Sequence, residues 1–82
     1  MAKNPLRRWF EKQPASVTGT VVAKGCGVSA PYIFLLMDED SVRYAGMETA
    51  YAIERYTHGE VTAKELYDFA RRNRERKSRE AA

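Results

Sequence analysis

The sequence predicts a small all-α domain of four or five short helices. Three observations point there. Apolar residues recur at helical spacing, capping residues stand just ahead of most of those runs, and Gly or Pro punctuates the gaps. A chain of 82 residues builds one modest core. It buries only about 60% of its unfolded surface, so pairing into a homodimer is expected.

Asn4 followed by Pro5 marks the first helix start, Asn as cap and Pro at the first helical position. Leu6, Trp9 and Phe10 then form an apolar face opposite Arg7, Arg8, Glu11 and Lys12, and Pro14 ends the helix. Ser16 or Thr18 can cap a second helix running through Val21, Val22 and Ala23 to Cys26. The β-branched residues at 17, 18, 20, 21 and 22, with Gly19 among them, favour a strand over the same stretch, so both readings stay open. Gly25 and Gly27 break whichever element precedes them.

Ser29 caps the next helix and Pro31 is tolerated in its first turn. Residues 32–37 are apolar all round, which normally marks a buried element. A polar loop covers 38–45. A fourth helix is expected over 47–56, with Ala50 and Ile53 inward and Gly59 as the C′ residue. Thr62 and Glu65 form a capping box, Val61 can staple to Leu66, and Leu66, Phe69 and Ala70 make the last apolar face. No core residue follows Ala70. Residues 1–70 therefore read as the domain and 71–82 as a basic tail frayed into solvent.

The net charge of +3 divides unevenly. Residues 1–12 carry Lys3, Arg7, Arg8 and Lys12 against Glu11, a net +3. Residues 13–70 hold four bases and eight acids, Asp38, Glu39 and Asp40 among them, a net −4. Residues 71–82 carry Arg71, Arg72, Arg74, Arg76, Lys77 and Arg79 against two acids, a net +4. Phosphate contact is thus expected from the ends, not the middle.

Catalytic and metal chemistry find little support. Cys26 is the only cysteine, which excludes an internal disulfide and suits a reducing cytoplasm. His58 stands alone at a helix end and reads as a polar cap, and Cys26 as a small buried hydrophobe. Three consecutive acids at 38–40 do not converge on a metal and read as a solvated loop. Gly25–Cys26–Gly27 lacks the Lys–Ser/Thr ending of a phosphate loop. No enzyme activity, cofactor or metal is expected. No apolar run approaches the roughly 20 residues of a spanning helix, and no secretory signal is read at the start.

Ala23, Gly27–Val28–Ser29, Ile33 and Leu36 fit a helix-turn-helix: a small residue where two helices cross, glycine at the turn, then apolar residues that tuck the second helix in. Over residues 4–66 the chain resembles the small Cro- and YdaS-like helix-turn-helix regulators of phages and prophages. The resemblance is carried by Asn4–Pro5–Leu6, Cys26–Gly27–Val28–Ser29–Ala30–Pro31 and Ala52–Ile53–Glu54–Arg55. It continues through Thr57, Gly59 and Val61–Thr62–Ala63–Lys64–Glu65–Leu66.

That resemblance implies a lambda-repressor/Cro-like fold that binds double-stranded DNA as a homodimer in the cytoplasm and occludes a promoter. It implies that Ser29, Ala30, Tyr32, Phe34 and Leu35 face the major groove and that Thr18 and Thr20 touch the backbone. Arg7, Arg8 and the tail arginines would add phosphate contacts. The chain departs from the family at Gly19, at Phe34 and Leu35 where polar or basic residues are usual, and at the acidic 38–40 turn. These departures leave a rival: a helix-turn-helix turned to protein contact, as an anti-repressor or inhibitor of a host protein. On that reading Phe34, Leu35 and Met37 form the apolar contact surface beside the acidic loop; a plainer alternative to groove contact has them fill a core or a dimer seam.

Overall fold

The computed structural model describes residues 3–81. Five helices follow in order: α1 (Pro5–Glu11), α2 (Gly19–Cys26), α3 (Ala30–Met37), α4 (Met47–Tyr56) and α5 (Ala63–Ala81), with no strand among the described residues. The domain is all-α. α2 packs on α3 and α4, α4 on α5, and α1 on both α3 and α5. Leu6, Val22, Ile33, Ile53 and Val61 are almost fully buried where these elements meet.

α1 starts as the sequence predicts. The Asn4 side-chain oxygen accepts from the Leu6 and Arg7 amides at 2.9 and 3.1 Å, and Leu6 and Trp9 are buried.

The open choice over residues 17–22 resolves as helix. Thr18 Oγ1 accepts from the Val21 amide at 3.2 Å, and Val22 and Ala23 are buried on the side that meets α3 and α4. Capping and burial outweigh the mild β preference of those residues. α2 ends in a Schellman turn: Gly27 is left-handed at φ 73°, and the Val28 amide donates to the Ala23 carbonyl at 2.9 Å.

α3 corrects the expectation of an element buried all round. Only Ile33 and Leu36 are buried, whereas Phe34 and Leu35 are 55% and 48% exposed. They do not fill the core of this chain. A two-turn helix on a small domain offers one stripe to the core, and any apolar residue off that stripe faces out.

At the end of α4 the expected C′ residue shifts by one. His58, at φ 54°, takes the left-handed C′ position, and Gly59 at φ 82° follows it. The Gly59 amide donates to the Glu54 carbonyl at 2.8 Å. Thr57, which composition did not single out as structural, is buried there. Its hydroxyl donates to the Ile53 carbonyl at 2.9 Å and accepts from the Val61 amide at 3.1 Å. The Thr62–Glu65 capping box forms reciprocally, at 3.1 and 3.2 Å.

The frayed tail is the largest correction. α5 continues to Ala81, and Asn73 in its middle is buried. The reason lies in residues 36–42, whose seven consecutive carbonyls each accept from a side chain near one end of the sequence. Asn4 Nδ2 serves Leu36 and Asp38, and Arg7 Nε serves Met37. Asn73 Nδ2 serves Glu39 and Ser41, Lys77 Nζ serves Asp40, and Arg74 Nε serves Val42. Arg74 also lies 4.1 Å above the Tyr44 ring, which stacks on Tyr67 at 4.8 Å. These are polar contacts, invisible to a search for core residues.

The 38–40 carboxylates are exposed but not simply solvated. Glu39 stands 3.4 Å from Arg7, and Asp40 stands 3.0 Å from Arg76. The basic ends and the acidic middle meet each other. No single helix among the described residues is long and apolar enough to cross a membrane.

Candidate nucleic-acid interface

Gly27, Val28 and Ser29 join α2 to α3, and the chain turns by 111° between them. Helix-turn-helix pairs cross at about 90–120° over a turn of this length. Ser29 Oγ accepts from the Tyr32 amide at 3.4 Å and so fixes where α3 begins. Thr18 and Ser29 both spend an acceptor on capping, which leaves each hydroxyl proton free to be donated outward.

The structure brings together seven of the residues expected at the interface. Thr18, Thr20 and Ser29 are exposed, Ala30 and Tyr32 are half-buried against the core, and Phe34 and Leu35 are exposed on the next turn. Arg7 and Arg8 do not join them. Arg7 bonds to the carbonyl of Met37, the far end of α3 from Ser29, about 12 Å away along an eight-residue helix. It also faces Glu39, while Arg8 faces Glu65 at 3.5 Å.

Phe34 and Gly19 account for each other. A Cβ on Gly19 would stand 2.7 Å from the tip of the Phe34 ring, so the ring occupies the space that a larger residue would take. Two departures from the resembled pattern are therefore one arrangement. With Val21, 46% exposed, Phe34 and Leu35 give this surface an apolar character.

Its electrostatics are sparse. From Thr18 to Met37 the only charged side chain is Lys24, exposed in the last turn of α2. Sequence reasoning passed over this residue as a binding candidate. Its signal was available, since a lone cation in an otherwise uncharged helix pair is the one group there able to meet a phosphate as an ion.

Cys26 lies half-buried at the end of α2. Burial raises its thiol pKa above the ordinary value, with Arg55 pulling more weakly the other way. That is the opposite of an activated nucleophile. Among the described residues no three His, Cys, Asp or Glu side chains are placed to hold a metal ion.

Fold and turn together define a class: a small five-helix domain built around a helix-turn-helix. Compared with models of known families, with curated proteins and with solved structures, the chain matches none of them.

Proposed function

We propose that this protein is a DNA-binding transcriptional regulator of phage or prophage type, which acts without catalysis by occluding a promoter in the host cytoplasm. The observation that carries the reading is the 111° helix pair, with Ser29, Pro31, Phe34 and Leu35 exposed along its second helix. Ser29 and Tyr32 would meet base edges, Phe34 and Leu35 thymine methyl groups, and Thr18, Thr20 and Lys24 the backbone. The resemblance of residues 4–66 to Cro- and YdaS-like regulators supports the same reading.

Selection of bound sequences from a random duplex pool tests it. Enrichment of a palindrome supports binding as a homodimer, and affinity should fall steeply with added salt as counterions are released. Absence of any salt-dependent binding to duplex DNA overturns the proposal.

A second reading has its own observation: Phe34 and Leu35 stand exposed on α3, and Leu35 lines a groove with Asp38 and Asp40, an apolar surface with an acidic edge. Such a surface suits a protein partner, as an anti-repressor or host inhibitor would need. Replacing Phe34→Ser with Leu35→Arg separates the two. The change adds a base and a donor for DNA, but removes the anchor for a protein.

A further inference from the structure

We propose that the arginine-lined groove on the C-terminal half of α5 is a surface for the phosphodiester backbone of nucleic acid. Glu39 and Asp40, in the loop after α3, act as its internal competitors. The inference rests on the nucleic-acid reading above for the source of the phosphate.

The groove encloses about 380 Å³ and is lined by Phe69, Arg72, Asn73, Glu75, Arg76 and Arg79 of α5, with Glu39; Glu75 is paired with Arg71 at 2.9 Å. Arg72, Arg76 and Arg79 follow one another at i, i+4 and i+7, so the helix presents about one guanidinium per turn along a single face. Arg72 and Arg79 have no carboxylate within ion-pairing distance among the described residues.

Glu39 enters this basic environment as a carboxylate. Its two oxygens accept from the Asn4 amide at 3.3 and 3.4 Å, and Arg7 Nε lies 3.4 Å away. Asp40 meets Arg76 at 3.0 Å, and Glu80 stands 3.9 Å from the same guanidinium. A guanidinium engages carboxylate and phosphate through the same planar fork, so an internal carboxylate and an external phosphate are alternatives at one site. The loop is also held without these carboxylates, because Asn73, Arg74 and Lys77 bond to its backbone carbonyls. Amide replacements at 39 and 40 therefore remove the competitors and keep the loop in place.

The test compares E39Q/D40N with wild type and with E48Q/E60Q, binding to a short duplex of random sequence over a range of salt. Glu48 and Glu60 are exposed and form no ion pair among the described residues, so the control makes the same charge change away from the groove. E39Q/D40N should bind more tightly than either. Its logarithmic salt slope should steepen by about 0.9 for each phosphate newly met, through Arg7 and Arg76. Adding R7Q/R76Q should abolish the gain, and R72A/R79A should weaken binding with or without the change at 39 and 40.

Equal gain in both double variants, or none in either, overturns the proposal. If wild type selects a preferred sequence and E39Q/D40N gains nothing, the groove fails and the helix-turn-helix reading stands. If E39Q/D40N gains affinity and no protein selects a sequence, the groove stands and sequence reading by α3 fails.

Discussion

The ring of Phe34 lies over Gly19, with its Cζ and Cε1 atoms 2.7 and 2.8 Å from where a Cβ would be. α2 begins at a residue without a side chain because α3 delivers an aromatic ring there. Phe34 is more than half exposed, so its ring can swing outward. Gly19→Ala alone should change stability by less than about 1 kcal/mol, the better helix former offsetting lost ring packing. In a Phe34→Ala background the same change should stabilise by up to about 0.5–1 kcal/mol. Denaturant unfolding of the four proteins in that cycle measures the coupling.

Gly25 is a harsher case. A Cβ there would press on the edge of the Tyr56 ring, against Cε2 and with Cδ2 at 2.8 Å. Tyr56 is half-buried and sits edge-on to Trp9, so it has less room to move than Phe34. Gly25→Ala should cost about 1–3 kcal/mol through overpacking. The cost should shrink in a Tyr56→Leu background, read as a shift in the unfolding midpoint.

Asn73→Ala would strip donors from the Glu39 and Ser41 carbonyls, contacts of 3.1 and 2.8 Å at a buried side chain. A loss of about 1–3 kcal/mol is expected. Hydrogen exchange should quicken in the second half of α5 and in residues 38–42. Unchanged protection there would contradict the role assigned to Asn73.

Thr57→Val keeps the shape of the side chain and removes its hydroxyl. The Val61 amide then loses its acceptor in a buried place, at an expected cost of about 1–3 kcal/mol. Thr57→Ser, which keeps the oxygen, should recover most of that in thermal melts.

Burial raises the Cys26 thiol pKa, so the folded chain favours the protonated form. The stability this confers is present below the thiol's unfolded pKa and is lost as pH rises through the higher folded value. Alkylation near neutral pH should be slower in the native protein than in denaturant. Arg55→Gln, which removes the weaker opposing charge, should slow it further.

Local chemistry made much of the fold legible. Asn4, Ser29, Thr62 and Glu65 announced helix starts because a cap is a short-range bond between neighbours in sequence. Gly27 announced the turn, and Ala50 and Ile53 fell inward as their spacing required. What stayed hidden was long-range and polar. Asn4 was readable as a cap but not as the donor to Leu36 and Asp38, and Asn73 carried no signal in a run of charged residues. The candidate interface was legible on α2 and α3. The places of Arg7 and Arg8 were not legible, because the acids they stand beside, Glu39 and Glu65, are far from them in sequence.

The seven gripped carbonyls also set an order of events during synthesis. Residues leave the ribosome from the N-terminal side at about 5–20 per second. α2, its turn and α3 can therefore assemble early, and Asn4 and Arg7 can take their carbonyls at once. Those of Glu39 to Val42 must wait for residues 73–77 to emerge. A nascent chain stalled before that point would carry a formed helix pair whose following loop has no fixed path. Translation pauses between the codons of α3 and those of residues 73–77 should then weigh more on its solubility than pauses before α3.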